Sequence, residues 1–183
     1  MVVTKKSLCK RIIMPIITMS VGFASIMFIV YLVVSLLSDY HTPFMQIILF
    51  SLMSMFPIVL VLGITAIINI SKGLKWIKEQ EEFYQIDFDD DVKDVTMKTQ
   101  SRHDGYDWYI DIEGFRMIVF KNGFIARFEK YKKVGWRHGG TEHITAVCLD
   151  GKKRRLKGGS PSITNLRKWV GKCRKQEKLL EEV

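Results

Sequence analysis

Two long stretches of this chain, Ile12 to Leu37 and Phe44 to Ile70, contain no Asp, Glu, Lys or Arg. An α-helix rises about 1.5 Å per residue, so roughly 20 apolar residues cross the ~30 Å hydrocarbon core of a bilayer. Both stretches exceed that length, whereas apolar runs in buried soluble helices are usually about 10–14 residues. A cleaved signal peptide fits no better. Lys5, Lys6, Lys10 and Arg11 would serve as its basic start. The apolar run that follows outlasts the usual ~7–15 residues, and no small-residue cleavage pattern ends it. The sequence therefore predicts a cytoplasmic N-terminus over 1–11 and transmembrane helices over 12–38 and 44–70. The external loop at 39–43 is short enough to force an antiparallel hairpin.

Charge orients the hairpin. Four basic residues precede the first span, the loop holds Asp39 and no Lys or Arg, and Lys72, Lys75 and Lys78 follow the second span. The positive-inside rule then places both termini, and everything after residue 70, in the cytoplasm of a multi-pass cell-membrane protein. The spans carry no ionisable side chain of the kind that marks a transport path. Small residues such as Gly22, Ser25, Ser54 and Gly63 permit close helix approach, within the hairpin or between copies in a homo-oligomer. Cys9, Cys148 and Cys173 are odd in number and lack Cys-x-x-Cys spacing, so they read as reduced thiols.

Residues 71–92 are expected to form a juxtamembrane linker, first amphipathic and then acidic. In its first part Trp76 would lie at the membrane interface while Lys72, Lys75 and Lys78 reach lipid head groups. Asp87, Asp89, Asp90 and Asp91 lack the spacing and closing Glu of a calcium loop and read as a linker or strand edge.

From residue 93 the period of the pattern changes to two. Trp108, Ile110 and Ile112 alternate with Tyr109 and Asp111, and similar alternation runs through 115–119, 124–129 and 144–148. Glu113-Gly114, Asn122-Gly123 and Asp150-Gly151 separate these runs and supply the positive φ that tight hairpins need. After Gly158-Gly159-Ser160-Pro161, the residues Ile163, Leu166, Val170 and Cys173 recur at helical spacing, opposite Lys168, Lys172, Lys175 and Lys178. The predicted fold is an α+β membrane protein. A two-helix transmembrane hairpin precedes an antiparallel β-meander or barrel over 93–183, closed by a C-terminal amphipathic helix.

The run Phe115 to Arg127, followed by Val134-Gly135-Trp136, resembles the strand–Asn-Gly–strand–Trp pattern of bacterial two-span membrane proteins with a cytoplasmic pleckstrin-homology-like (PH-like) domain. Trp136 is followed here by Arg137-His138-Gly139-Gly140, where such domains often place an acidic and an aliphatic residue. The resemblance is architectural. It implies a binding or scaffolding role and no reaction.

Two basic clusters are candidate contacts for an anionic ligand: Lys130, Lys132, Lys133 and Arg137, and Lys152, Lys153, Arg154 and Arg155. Near an anionic bilayer each such residue contributes about 1 kcal/mol. Aromatic residues among these charges could stack nucleic acid bases, but strand aromatics more often pack a core and a membrane tether argues against that partner. No metal-ligand spacing, phosphate-binding glycine loop or catalytic motif occurs, so no cofactor and no enzymatic activity are expected. The function expected is a membrane-anchored cytoplasmic binding or scaffold module. Its partner would be anionic lipid head groups or a protein, as in an accessory subunit of a membrane complex. A different class fits some of the same features: a cyclic-nucleotide-gated two-span β-barrel that oligomerises and disrupts the membrane.

Overall fold

The computed structural model describes residues 3–37, 43–93, 95, 102–134 and 141–181, with backbone alone at 130–134, 141–142, 157–161 and 179–181. Trp136 and Arg137 lie outside the described residues.

The uncharged runs form helices, and both helices reach beyond those runs. Helix α1 spans Lys5–Leu37 and α2 spans Phe44–Tyr84. Both are long and apolar enough to cross a membrane. Thr4 and Ser7 start α1 reciprocally: the Ser7 amide donates to Thr4 Oγ1 (3.1 Å) and the Thr4 amide to Ser7 Oγ (2.9 Å). Along the hairpin Tyr31 and Ser54 share a hydrogen bond of 3.2 Å, and the Phe28 and Phe44 rings meet edge to face. The outer surfaces stay uncovered, with Leu37 83%, Met45 75% and Phe56 67% exposed.

The second helix runs unbroken through its 41 residues, about 60 Å, past the end of the apolar run and into the folded domain. The stretch 71–84, expected as a linker, is the last part of this helix. Trp76, expected at an interface, is a core residue with 8% exposure, and Ile77 and Gln80 beside it are fully buried. Helical spacing brings these three onto the face that meets the strand Arg116–Lys121, so their apolar and amide groups serve packing. The close approach is set by Gly73, where a Cβ would fall 2.3 Å from Met117 Cε. The helix ends at Gln85, which takes a left-handed conformation (φ 55°) and donates its amide to the Glu81 carbonyl.

The acidic run after it is a short helix, α3 (Phe88–Asp91), capped by Asp87, whose Oδ1 accepts the Asp89 amide at 2.8 Å. Its acids tie elements together. Asp89 accepts the Lys5 amide at the start of α1 (2.7 Å), and Asp91 accepts Trp108 Nε1 (2.6 Å) and Lys121 Nζ.

Six strands follow: β1 (Arg102–Asp104), β2 (Trp108–Glu113), β3 (Arg116–Lys121), β4 (Ile125–Val134), β5 (Thr141–Cys148) and β6 (Lys153–Gly159). Helix α4 (Ser160–Glu181) closes the chain. All described pairing is antiparallel, but the strands form two sheets, β1-β2-β3 and β4-β5-β6, and not one meander or closed barrel. Gly114 (φ 58°) and Gly151 (φ 74°) turn hairpins as their sequence predicts. Asn122-Gly123 does not: β3 and β4 leave it unpaired with each other and in different sheets.

The reason is that α2 occupies the outer edge of β3. Gln80 Nε2 donates to the Val119 carbonyl (3.0 Å), and Gln80 Oε1 accepts the Lys121 amide (2.7 Å). One side-chain amide thus satisfies the edge groups that a neighbouring strand would otherwise pair.

Because β2 and β3 have a helical layer on one side and the second sheet on the other, both of their faces are buried. Trp108, Ile110, Met117 and Val119 pack with Leu8, Ile12, Ile77, Phe88 and Val92 of the helices. Tyr109, Ile118 and Phe120 face the other core, with Phe124, Ile144, Leu156 and the inner side of α4 (Ile163, Leu166, Trp169).

Two outcomes are expected. Gln80→Leu, close in size, leaves Val119 and Lys121 backbone groups buried without partners and costs roughly 1–3 kcal/mol for each group stranded. Thermal unfolding of the full chain in detergent reads this, and an unchanged midpoint would show that the amide does not hold the edge. A fragment beginning at residue 80 lacks Leu8, Ile12, Trp76 and Ile77 and is expected to show no cooperative unfolding, whereas one sharp transition would refute the shared core.

Candidate functional site

The second basic cluster sits on the β5–β6 hairpin, where strand alternation separates its members. Arg154 points inward and is 4% exposed. Its guanidinium lies 4.9 Å from the Phe124 ring centre and donates to both Asp150 oxygens, at 2.9 and 2.5 Å, and to Glu79 of α2. Lys152 reaches the other Glu79 oxygen at 2.8 Å. Lys153 pairs with Glu129 at 2.9 Å, and Arg127 holds the second oxygen of that carboxylate at 2.9 Å. Three of the four cations expected to contact a ligand are therefore engaged by acids of the same domain: Asp150 is a neighbour in sequence, and folding brings Glu79 and Glu129 within reach. The pairing of Arg154 with Glu79 fastens α2 to the second sheet.

These contacts set the protonation of the cluster. Burial opposes ionisation of Glu79, but hydrogen bonds from Lys152 and Arg154 outweigh it and lower its pKa. For Asp150 the Arg154 hydrogen bond is the largest influence and lowers the pKa against a smaller desolvation effect. Burial would lower the Arg154 pKa, yet the two carboxylates raise it further above its ordinary value. A second buried polar group, Asp111, behaves oppositely. Desolvation raises its pKa despite the Tyr109 hydroxyl 3.1 Å away, which also lies 3.1 Å from the Ser162 carbonyl and links β2 to α4.

The fourth cation, Arg155, is exposed on the other face of β6. It helps line a groove of about 310 Å³ where the apolar half of α2 meets the domain. Thr65, Asn69, Lys72 and Trp76 supply the helical wall, Arg116 stands at the start of β3, and Arg155 and Leu156 come from β6. Lys72 Nζ is 5.0 Å from the Trp76 ring centre and 3.5 Å from the Arg155 carbonyl oxygen. Three cations separated by about 40 residues each in the chain thus converge on one groove, a constellation suited to a phosphate or carboxylate. Arg116 and Asn69 escaped the sequence analysis because only the packing of α2 on β3 brings them to Lys72.

Of the remaining expected contacts, Lys75 and Lys78 are exposed on α2, with Lys78 3.7 Å from Glu82. Lys130, Lys132 and Lys133 lie on β4, where Lys132 is in register with His143 and Lys133 with Glu142; their side chains are outside the described part, as is Arg137 altogether.

The Arg154 cluster gives a signed prediction. Carboxylates whose pKa is lowered by folding stabilise the fold above their unfolded values, 4.5 for Glu79 and 3.8 for Asp150, and that stability drains away as pH falls through the folded values. Arg154→Leu leaves Glu79 with Lys152 alone and removes the guanidinium from Asp150, and is expected to cost roughly 1.5–3 kcal/mol near neutral pH. It should also narrow the gap from wild type as the solution is acidified. A gap independent of pH in thermal unfolding would show that charge is not what the arginine contributes.

Comparison with protein-family models, with curated proteins and with solved structures finds no match.

Proposed function

We propose that the chain is an integral membrane protein. Its two N-terminal helices span the bilayer with both termini in the cytoplasm, and its β-domain is a binding or scaffold module held at the membrane surface. The observation that carries this is the division of α2. Its first part exposes Phe56, Val61, Ile64 and Ile67, while its last turns place Trp76, Ile77 and Gln80 in a packed core. A helix with an uncovered apolar half requires lipid around that half. The charge asymmetry between the ends of the hairpin supplies the orientation. Burial of α2 in the domain supports a fixed mount over a flexible tether.

The partner is anionic lipid or a protein. Exposed Lys168, Lys172 and Lys175 on the outer side of α4, with Lys75 and Lys78 on α2, give the domain a basic surface for either. The two-sheet arrangement departs from a single meander because of the helix at the β3 edge. The same open arrangement favours a binding module over the gated-barrel effector, which would need an enclosed ligand chamber.

Two measurements test the placement in cells making the full chain. The protein is expected to stay with the membrane pellet after alkaline carbonate washing. In intact cells a membrane-impermeant maleimide is expected to label Asp39→Cys in the connecting loop and not the native cysteines. Release into the supernatant would refute the spans, and loop labelling only after permeabilisation would refute the orientation.

A further inference from the structure

A second groove, of about 460 Å³, runs where α4 crosses β4. Its floor is apolar: Val170 is almost buried, and Phe128 packs against the same core. Lys168, Gly171 and Arg174, each three residues apart, bring successive turns of α4 to it. No acidic side chain lines it among the described residues. Gly171 stands inside a 22-residue helix, where glycine is the least favourable residue after proline. At Gly73 a tight contact with Met117 explains the glycine; at Gly171 nothing lies within 4 Å of where a Cβ would stand. Packing within the domain therefore does not call for Gly171, whereas an occupant approaching the helix backbone would. The cations are available. Arg174 Nη2 donates to the Ile125 and Ala126 carbonyls (2.9 and 2.5 Å), at a shift in the β4–β5 register, and Lys168 is exposed. Neither forms an ion pair among the described residues. Glu177, the acid one turn beyond Arg174, accepts the Asn122 side-chain amide at 3.1 Å, and Glu129 on β4 is held by Arg127 and Lys153.

We propose that this groove binds an acidic segment of a protein partner, with one apolar side chain seated on Phe128 and Val170 over Gly171 and flanking carboxylates held by Lys168 and Arg174. This partner rests on the binding-module reading above and gives that module its ligand chemistry. Spacing supports it. Six helical residues separate the two cations, a rise of roughly 9 Å, which matches acids about three residues apart in an extended chain. Position disfavours lipid. Helix α2 and strand β3 run in the same direction: Gly73 meets Met117, Gln80 meets Val119 and Lys121, and the Tyr84 hydroxyl donates to the Asn122 carbonyl at 3.2 Å. Asn122 holds Glu177, so the Arg174 end of the groove lies beside the far end of α2. At about 1.5 Å per residue, Tyr84 is roughly 21 Å along the helix from Ile70, where the uncharged run ends. A head-group layer is only about 5–8 Å deep.

The test uses the full chain in a mild non-ionic detergent, with a random dodecapeptide display library selected against it. Selected peptides are expected to carry two acidic residues about three positions apart around an apolar one. The most enriched is synthesised with a fluorescent label, and its affinity is read by anisotropy. Lys168→Glu and Gly171→Leu are each expected to weaken it about tenfold or more. Gly171→Leu puts a better helix former at an open position, so its thermal midpoint should match or exceed that of wild type. Lys93→Glu, an equal charge change at an exposed site after α3, should leave the affinity within about twofold. A selection without acidic peptides, or an affinity indifferent to Gly171→Leu, would overturn the groove as the site. Equal loss in Lys93→Glu would do the same, by showing attraction to net charge alone. Retention of phosphatidylglycerol over phosphatidylcholine from mixed nanodiscs, lost in Gly171→Leu, would make the occupant a lipid and overturn the protein partner. Peptides that bind without regard to Lys168 and Gly171 defeat only the groove, whereas a chain that selects no peptide and retains no lipid defeats the binding-module reading with it.

Discussion

The structure depends on one helix living in two surroundings. For most of its length α2 is apolar and uncovered, and for its last three turns it is the central packing element of a β-domain. That continuity explains the departures from a simple strand meander. A helix lying along β3 denies that edge to β4, and the price is one amide side chain placed where two backbone groups need it. The chain then starts a second sheet after Gly123, and the two sheets are joined through their buried side chains and α4 instead of through a shared hydrogen-bond ladder.

Charge is spent in the same way, on internal fastening. Several acids near the end of α2 and in α3 join elements of the fold. Glu81 accepts the Phe88 amide at 2.7 Å and pairs with Lys5 at 2.6 Å, linking the end of α2 to the start of α1. Asp91 joins α3 to β2 and β3. Glu79 joins α2 to β6. The whole chain has a formal net charge of +9, and exposed lysines on the outer faces of α2 and α4 carry part of it.

Much of the architecture was legible because it rests on periodicity. The two apolar runs, the alternation in β2, β3 and β5, the Gly114 and Gly151 turns and the amphipathic α4 all follow from local pattern. What escaped depends on which elements meet. Trp76 with Lys72, Lys75 and Lys78 has the same amphipathic signature whether the apolar face meets lipid or a sheet, and only β3 decides between them. Asn122-Gly123 carries a hairpin signal that specifies backbone conformation, not pairing, so a sheet change uses the same dipeptide. Arg154 looked like one of four equivalent cations. Its burial follows from register, since Ala146 and Arg154 are opposed and both face inward. The groove was invisible for a related reason, as Lys72, Arg116 and Arg155 share no local pattern.

The groove at Lys72 and the sheet edge are attached to the same helix. Lys72 and Trp76 line the groove, Gly73 and Gln80 hold β3, and all four belong to the helix that forms the proposed second span. The groove wall and the apolar half of α2 therefore belong to one continuous helix, with no linker between them. Glu79, one turn further along, extends the connection to β6 through Arg154. Any shift of α2 along its axis would have to break the Gln80 and Glu79 contacts together, the first fully buried and the second partly so. Packed elements held by such contacts move between discrete arrangements more readily than they deform. The packing thus fixes the apolar half of α2 relative to β3 and β6.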